Sequence, residues 1–181
     1  MTPQQHATRA LATTVLAVAT LVAVSGCSVG AEPSPSPTPT SAFASEEEAF
    51  AAAEEVYRAY NEALNLFRSG DPTADPHEYL AGGVLESELS TTRDLEAQGI
   101  RIEGDTRILS FTGLSSDVDS QVPSIEARVC LDISQARAIN SNDEDVTPPE
   151  RKDTYGLIVT ITGTPGRMLI SDYRTSEDLK C

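Results

Sequence analysis

Cys27, Cys130 and Cys181 are the three cysteines of this chain, and His6 and His77 are its two histidines. Cys27 has the most defined surroundings. It ends the run Val24-Ser25-Gly26-Cys27, and an apolar stretch from Ala10 to Val24, interrupted only by threonines, leads into it. An aliphatic residue and two small ones before a cysteine form the lipobox of bacterial lipoproteins. Small side chains let the scissile bond enter a membrane protease, and the sulfur takes a diacylglyceryl group before cleavage. A thioether at Cys27 is therefore the chemistry to expect. Two buried acyl chains of the palmitate kind, at about 0.8 kcal/mol per methylene, give on the order of 20 kcal/mol of membrane affinity. The apolar stretch is shorter than the roughly 20 residues that a membrane span needs and suits a signal-peptide core, so residues 1–26 are expected to be removed. An ordinary secretory peptide with an incidental cysteine is the alternative.

With Cys27 lipidated, Cys130 and Cys181 are left in an oxidising compartment, where a pair of thiols usually forms a bridge. A Cys130–Cys181 disulfide is expected; two free thiols, or Cys181 pairing between molecules, are the alternatives. The remaining chemistry is sparse. His77 lies in Asp75-Pro76-His77-Glu78 and reads as a capped surface residue rather than a base. No Cys/His cluster offers a zinc site, and neither a Gly-rich phosphate loop nor a nucleophile elbow is present. The run Asn140-Ser141-Asn142-Asp143-Glu144-Asp145 is rich in oxygen ligands. In an EF-hand register from Asn140, however, position six is Asp145 instead of glycine and position twelve is Arg151, so calcium is not expected there. No catalytic residue, metal or cofactor is assigned.

The elements that would position these residues begin after a spacer. Residues 27–44 carry the anchor and Pro33, Pro35, Pro37 and Pro39 at alternate positions, which keeps the backbone extended. At about 3.1 Å per residue the segment could reach roughly 50 Å. Ser45-Glu46-Glu47-Glu48 has the form of a capping box. Phe50, Ala53, Tyr57, Tyr60, Leu64 and Phe67 then recur at steps of three and four, which predicts one apolar helical stripe, with Glu54 and Arg58 paired on the opposite face. Gly70, Asp71-Pro72 and Asp75-Pro76 end the helix. A turn of helix after Asp75 and a second helix carrying Val84, Leu85, Leu89 and Leu95, closed at Gly99, are expected next.

Beyond Gly99 the period changes to two. Ile100 and Ile102 alternate, Gly104-Asp105 suggests a bulge or tight turn, and Ile108–Thr112 resumes the strand. Ile125, Ala127, Val129, Leu131 and Ile133 share one face, with Arg128, Cys130 and Asp132 on the other. Tyr155–Gly163 and Arg167–Tyr173 read as a hairpin whose Thr164-Pro165-Gly166 suits a type II turn. The segment between Ser134 and Asp153 is expected to be a long solvated connection and a candidate contact surface. Together these elements predict an α+β domain over residues 45–181, with N-terminal helices packed on a curved four-stranded antiparallel sheet.

The order of elements resembles the nuclear transport factor 2-like superfamily, the cone-shaped fold shared with ketosteroid isomerase and SnoaL-like cyclases. More narrowly it is similar to secreted lipoproteins of high-GC Gram-positive bacteria with that fold. The resemblance covers about residues 46–181 and is carried by the Tyr57-to-Tyr60 helix, the strand end Val129-Cys130-Leu131-Asp132-Ile133-Ser134 and the closing Cys181. The last strand, Met168 to Tyr173, departs from the pattern in lacking a tryptophan near its start, and the chain has none. Enzymes with that fold place a carboxylate and a hydroxyl donor inside the cone, with burial shifting the carboxylate pKa. No motif here assigns an inward acid, so no active-site residue carries over. Tyr57 and Tyr60 are candidates to line the cone mouth, with core packing the stronger account of both.

The formal net charge is −15, and removal of Arg9 with the leader makes it one unit more negative. That balance argues against nucleic acid, which needs clustered Lys and Arg, and against electrostatic docking on an anionic bilayer. The function expected is that of a lipid-anchored protein on the extracytoplasmic side of the cell membrane. Its non-catalytic domain would bind an envelope protein or a small ligand. A small isomerase- or hydrolase-type enzyme using the cone interior is the alternative.

Overall fold

The computed structural model describes residues 41–175 and Cys181. The leader, Cys27 and the prolines of the spacer lie outside the described residues. The first helix, α1, runs Glu46–Arg68. Ser45 caps it by accepting the Glu48 N–H at 3.1 Å, while Glu48 reaches back to the Ala44 N–H at 2.8 Å, one residue beyond its place in a standard capping box. Three glutamates in the first turn and Arg68 in the last complement the helix dipole. Glu54 and Arg58 pair as expected. The helix stops where Gly70 takes φ +86° and the Asp71 N–H returns to the Leu66 carbonyl at 3.1 Å, as in a Schellman closure.

A 3₁₀ turn, Pro76–Tyr79, follows the Asp75 cap, and α2 spans Gly82–Ala97. α2 begins on two glycines without a side-chain cap and buries only Val84. Its expected stripe is thus weakly used, and Leu89 is exposed.

Six strands follow: β1 Arg101–Glu103, β2 Arg107–Asp117, β3 Ser124–Asp132, β4 Arg137–Ile139, β5 Thr154–Thr164 and β6 Arg167–Thr175. The main sheet is antiparallel and four-stranded, in the order β2-β3-β5-β6. α1 packs against β2, β3 and β6, and α2 against β6. The fold is therefore α+β, with two helices on an antiparallel sheet. Ile125, Ala127, Val129 and Leu131 of β3, Leu157, Val159 and Ile161 of β5, and Met168 and Ile170 of β6 form its core with Ala49, Ala53 and Tyr57 of α1. Gly113 of β2 lets α1 approach, because a Cβ there would lie 2.4 Å from the Phe50 ring. The β5–β6 hairpin turns at Pro165-Gly166, and Gly166 takes φ +77°, the value a type II turn requires.

Three expectations are corrected. β1 does not run on into β2; it pairs with β4 in a separate two-stranded sheet, Ile102 opposite Ala138, because the Gly104 turn (φ +84°) redirects the chain. The connection from Ser134 to Asp153 is correspondingly not featureless. It holds β4, the buried Ala136 and Ile139, and a tight turn in which the Asn140 carboxamide oxygen accepts the N–H groups of Asn142 and Glu144. The acidic run is pinned by Arg101–Asp143 and Arg137–Asp145 pairs. Finally, Phe43 was expected in the spacer but is only 2% exposed and belongs to the core, since an aromatic beside the helix cap can reach the sheet. No helix of the described residues is long and apolar enough to cross a membrane.

Candidate functional site

The site is built on the face of α1 that carries Tyr57, Tyr60, Asn61, Leu64, Asn65 and Arg68. Asn61 and Asn65 each donate a carboxamide N–H to the Thr106 carbonyl at 2.9 Å. The Thr106 N–H returns to the Asn65 carboxamide oxygen at 2.9 Å, and Arg68 Nη1 donates to the Thr106 hydroxyl at 2.9 Å. Thr106 is 5% exposed, so these bonds satisfy polar groups that would otherwise be costly to bury. They also clamp the start of β2 onto the last two turns of α1.

Below this clamp lies a cavity of about 270 Å³, between α1 and the inner face of the sheet. Tyr57, Tyr60, Asn61, Leu64 and Arg68 form its helical wall. Leu131 and Ile133 at the end of β3, with Tyr155, Leu157 and Val159 at the start of β5, form the opposite wall. Leu80, Thr106, Ile170 and Tyr173 complete it. Tyr57 stacks obliquely on Tyr60 and Phe111, ring centroids 5.9 and 6.2 Å apart. A bulge brings in Tyr173. The β5–β6 register slips between Thr160 and Ile161, so Ile170 and Tyr173, three residues apart, both point inward where strict alternation would turn Tyr173 away.

A second concavity of about 430 Å³ adjoins the first, among α1, α2 and β1. Leu64 and Arg68 line both. Glu88 of α2 stands in this groove and accepts the Tyr173 hydroxyl at 2.8 Å, which ties α2 to β6.

Burial, reinforced by neighbouring phenols and Glu88, pushes the Tyr57 and Tyr60 hydroxyls far above the usual phenol range. Tyr173 is pushed up to about 12, first by burial and then by its bond to Glu88. All three remain proton donors at neutral pH. Burial pushes the Arg68 guanidinium down, countered by Tyr60, Glu88 and Asp105. The lining thus offers phenolic and guanidinium donors on a largely aliphatic wall, an arrangement suited to holding and orienting a ligand. Its volume lies near the lower end of the roughly 300–1,000 Å³ usual for small-molecule sites.

Tyr57 and Tyr60 both reach the cavity, and Tyr57 is also core, at 4% exposure. Cys130 and Cys181 are bonded, with Cα atoms 5.4 Å apart, on the opposite side of the sheet. His77 does not line the cavity; its ring is bonded to Asp75 at 3.1 Å and lies edge-on to Phe67. Among the described residues no cluster of three or more His, Cys, Asp and Glu side chains could hold a metal. Asn61, Asn65, Arg68, Glu88, Tyr155 and Tyr173 were not singled out by sequence. The available signal was Asn61, Asn65 and Arg68 at steps of four and three beside the tyrosine stripe.

Asp132, where β3 leaves the cavity wall, accepts the Ser134 N–H at 2.9 Å and pairs with Arg107 at 2.5 Å. These bonds, Ser134 first, hold its carboxyl down to about 2. A depressed carboxyl contributes stability that is present above the unfolded value of about 4 and lost as pH falls toward the folded one. Asp132→Asn is therefore expected to lower the urea midpoint at pH 5 and to converge on wild type near pH 2. A gap independent of pH would contradict this assignment.

No family model matches the chain, and no curated protein matches it. Among solved structures, the crystal structure of the intermembrane space region of chloroplast protein ARC6 is similar at a TM-score of 0.49 and 15% identity. The match covers 70% of this chain and 95% of that one. A likeness at that level carries no argument about function.

Proposed function

We propose that this chain is a lipid-anchored protein of the extracytoplasmic membrane face whose nuclear transport factor 2-like domain binds a small, largely apolar ligand without transforming it. The observation that carries the binding reading is the cavity between α1 and the sheet, lined by Leu64, Leu131, Leu157, Val159 and Ile170 and overlooked by protonated phenols. Helices preceding an antiparallel sheet, with a cavity against the sheet's inner face, support the cone-like assignment. The Cys27 motif supports the anchor and its outward-facing location.

N-phenyl-1-naphthylamine, a neutral apolar fluorophore, tests the binding reading. The full chain is expected to take it up with enhanced fluorescence. Leu64→Trp, which fills the shared wall from the helix side, should reduce uptake at least fivefold while leaving the circular dichroism spectrum and the disulfide intact. Equal uptake by the two forms would contradict the site.

A second reading is favoured by one contact, the Glu88–Tyr173 hydrogen bond, which sets a carboxylate against a hydroxyl at the cavity's edge as an isomerase- or hydrolase-type site would. In this arrangement Glu88 lines the outer groove and holds the Tyr173 proton. Turnover of a bound compound that was lost on Glu88→Gln with binding preserved would establish the enzyme.

A further inference from the structure

Arg68 is the arginine that lines the cavity; Arg93, Arg128, Arg151 and Arg167 also lack a carboxylate partner among the described residues, but none of them lines that cavity. Arg58, Arg101, Arg107, Arg137 and Arg174 all pair with carboxylates at the surface. Arg68 is half-buried, lines both the cavity and the groove, and pairs with no carboxylate of the described residues. One of its N–H groups goes to the Thr106 hydroxyl. A guanidinium has five such donors in a planar fork, and a cation withdrawn from water without a partner anion is unfavourable. Its remaining donors are not sealed off, since the one fully buried side-chain nitrogen or oxygen without a hydrogen-bond partner among the described residues is Arg151 Nε. The hollow that Arg68 lines combines Leu64, Leu131, Leu157 and Ile170 with the Tyr57 and Tyr60 phenols.

Glu88, which lines the groove together with Glu96, is engaged with the Tyr173 hydroxyl. It lowers the local potential without forming an ion pair. Tyr60, on the same helical face about two turns before Arg68, keeps its proton and lines the same cavity.

We infer that the ligand is an amphipathic monoanion, a carboxylate on an aliphatic chain, whose head rests on Arg68 at the junction of cavity and groove and whose tail lies along Leu64, Leu157 and Ile170. This rests on the binding reading above and narrows it to a ligand class. The guanidinium fork matches a carboxylate with two parallel hydrogen bonds, and a partly buried site makes such a pair stronger than it would be in water.

The test compares decanoate with 1-decanol, which shares the chain but not the charge, by calorimetry below their aggregation limits. The full chain carrying Cys27→Ser is used so that no acyl anchor competes. Decanoate is expected to bind at least tenfold more tightly than decanol. Arg68→Met should bring the two affinities together, Arg68→Lys should retain part of the preference, and Glu88→Gln should tighten decanoate severalfold by removing the opposing charge. The Glu88 variant keeps the test decisive should Arg68→Met fail to fold. Equal affinities for the two compounds, or a decanoate affinity indifferent to both Arg68 and Glu88, would overturn the anionic assignment. If the neutral naphthylamine still bound, only this inference would fall; if it did not, the binding reading would fall with it.

Discussion

Cys27→Ser is expected to leave residue 27 without an acyl group and, because acylation precedes cleavage, to leave residues 1–26 attached. The lipidated form should resist a high-pH carbonate wash, because two acyl chains supply on the order of 20 kcal/mol of partition free energy. The serine form has no sulfur to acylate, so the cleavage that depends on the acyl group does not follow. The measurement is fractionation combined with the mass of the N-terminal peptide. A wild-type chain that begins at an acyl-modified residue 27 and an unacylated, leader-bearing variant are the expected pair. A wild-type N-terminal peptide without acyl groups, or one that begins elsewhere than residue 27, would contradict the anchor.

Removing the Cys130–Cys181 bridge should produce the largest loss of folding stability. The bonded residues are 51 apart in sequence, and in the chain-entropy model a loop of that length is worth about 4 kcal/mol. For a domain of this size that corresponds to a fall in Tm of about 10 °C or more. The structure shows why the bridge fits. On the outer face of the sheet Cys130 is 6% exposed and stands between Ser110 of β2 and Gly156 of β5. Both neighbours are small, which leaves room for a second sulfur. The double variant Cys130→Ser/Cys181→Ser should therefore melt at a lower temperature, and wild type treated with reductant should melt with it. A reductant-insensitive Tm would contradict the account.

Long elements with uninterrupted periods were legible in the sequence. The α1 stripe from Phe50 to Leu64, the β3 alternation and the Pro-Gly hairpin stand where the residues imply, whereas Phe67, the last residue of the stripe, is 41% exposed. The misses share physical causes. β2 extends to Asp117 rather than ending near Thr112 because two bulges, at Leu109 and Leu114, break its alternation. The extra residue at each bulge turns outward, which is why these two leucines are exposed at 55% and 39%. β4 is three residues long, too short for period two to register, and it exists only because β1 lies beside it. Pairing between segments so far apart leaves no local trace.

The candidate site was half legible for a related reason. Tyr57 and Tyr60 belong to the helical stripe and were visible as such. Arg68 carries no motif, since a basic residue in a last helical turn is common, and only the fold of the chain around Thr106 makes it a cavity wall. Tyr173 faces inward by virtue of a bulge, and Glu88 meets it from a helix whose own pattern is weak. Long-range tertiary geometry, rather than any motif, assembles these groups.

Native mass spectrometry of the protein purified from its producing cells in mild detergent tests the proposed occupancy of the cavity most directly. The account predicts a non-covalent adduct on the wild-type chain, released on denaturation and absent from Leu64→Trp. Bare chains in both forms, or one adduct retained equally by both, would contradict it.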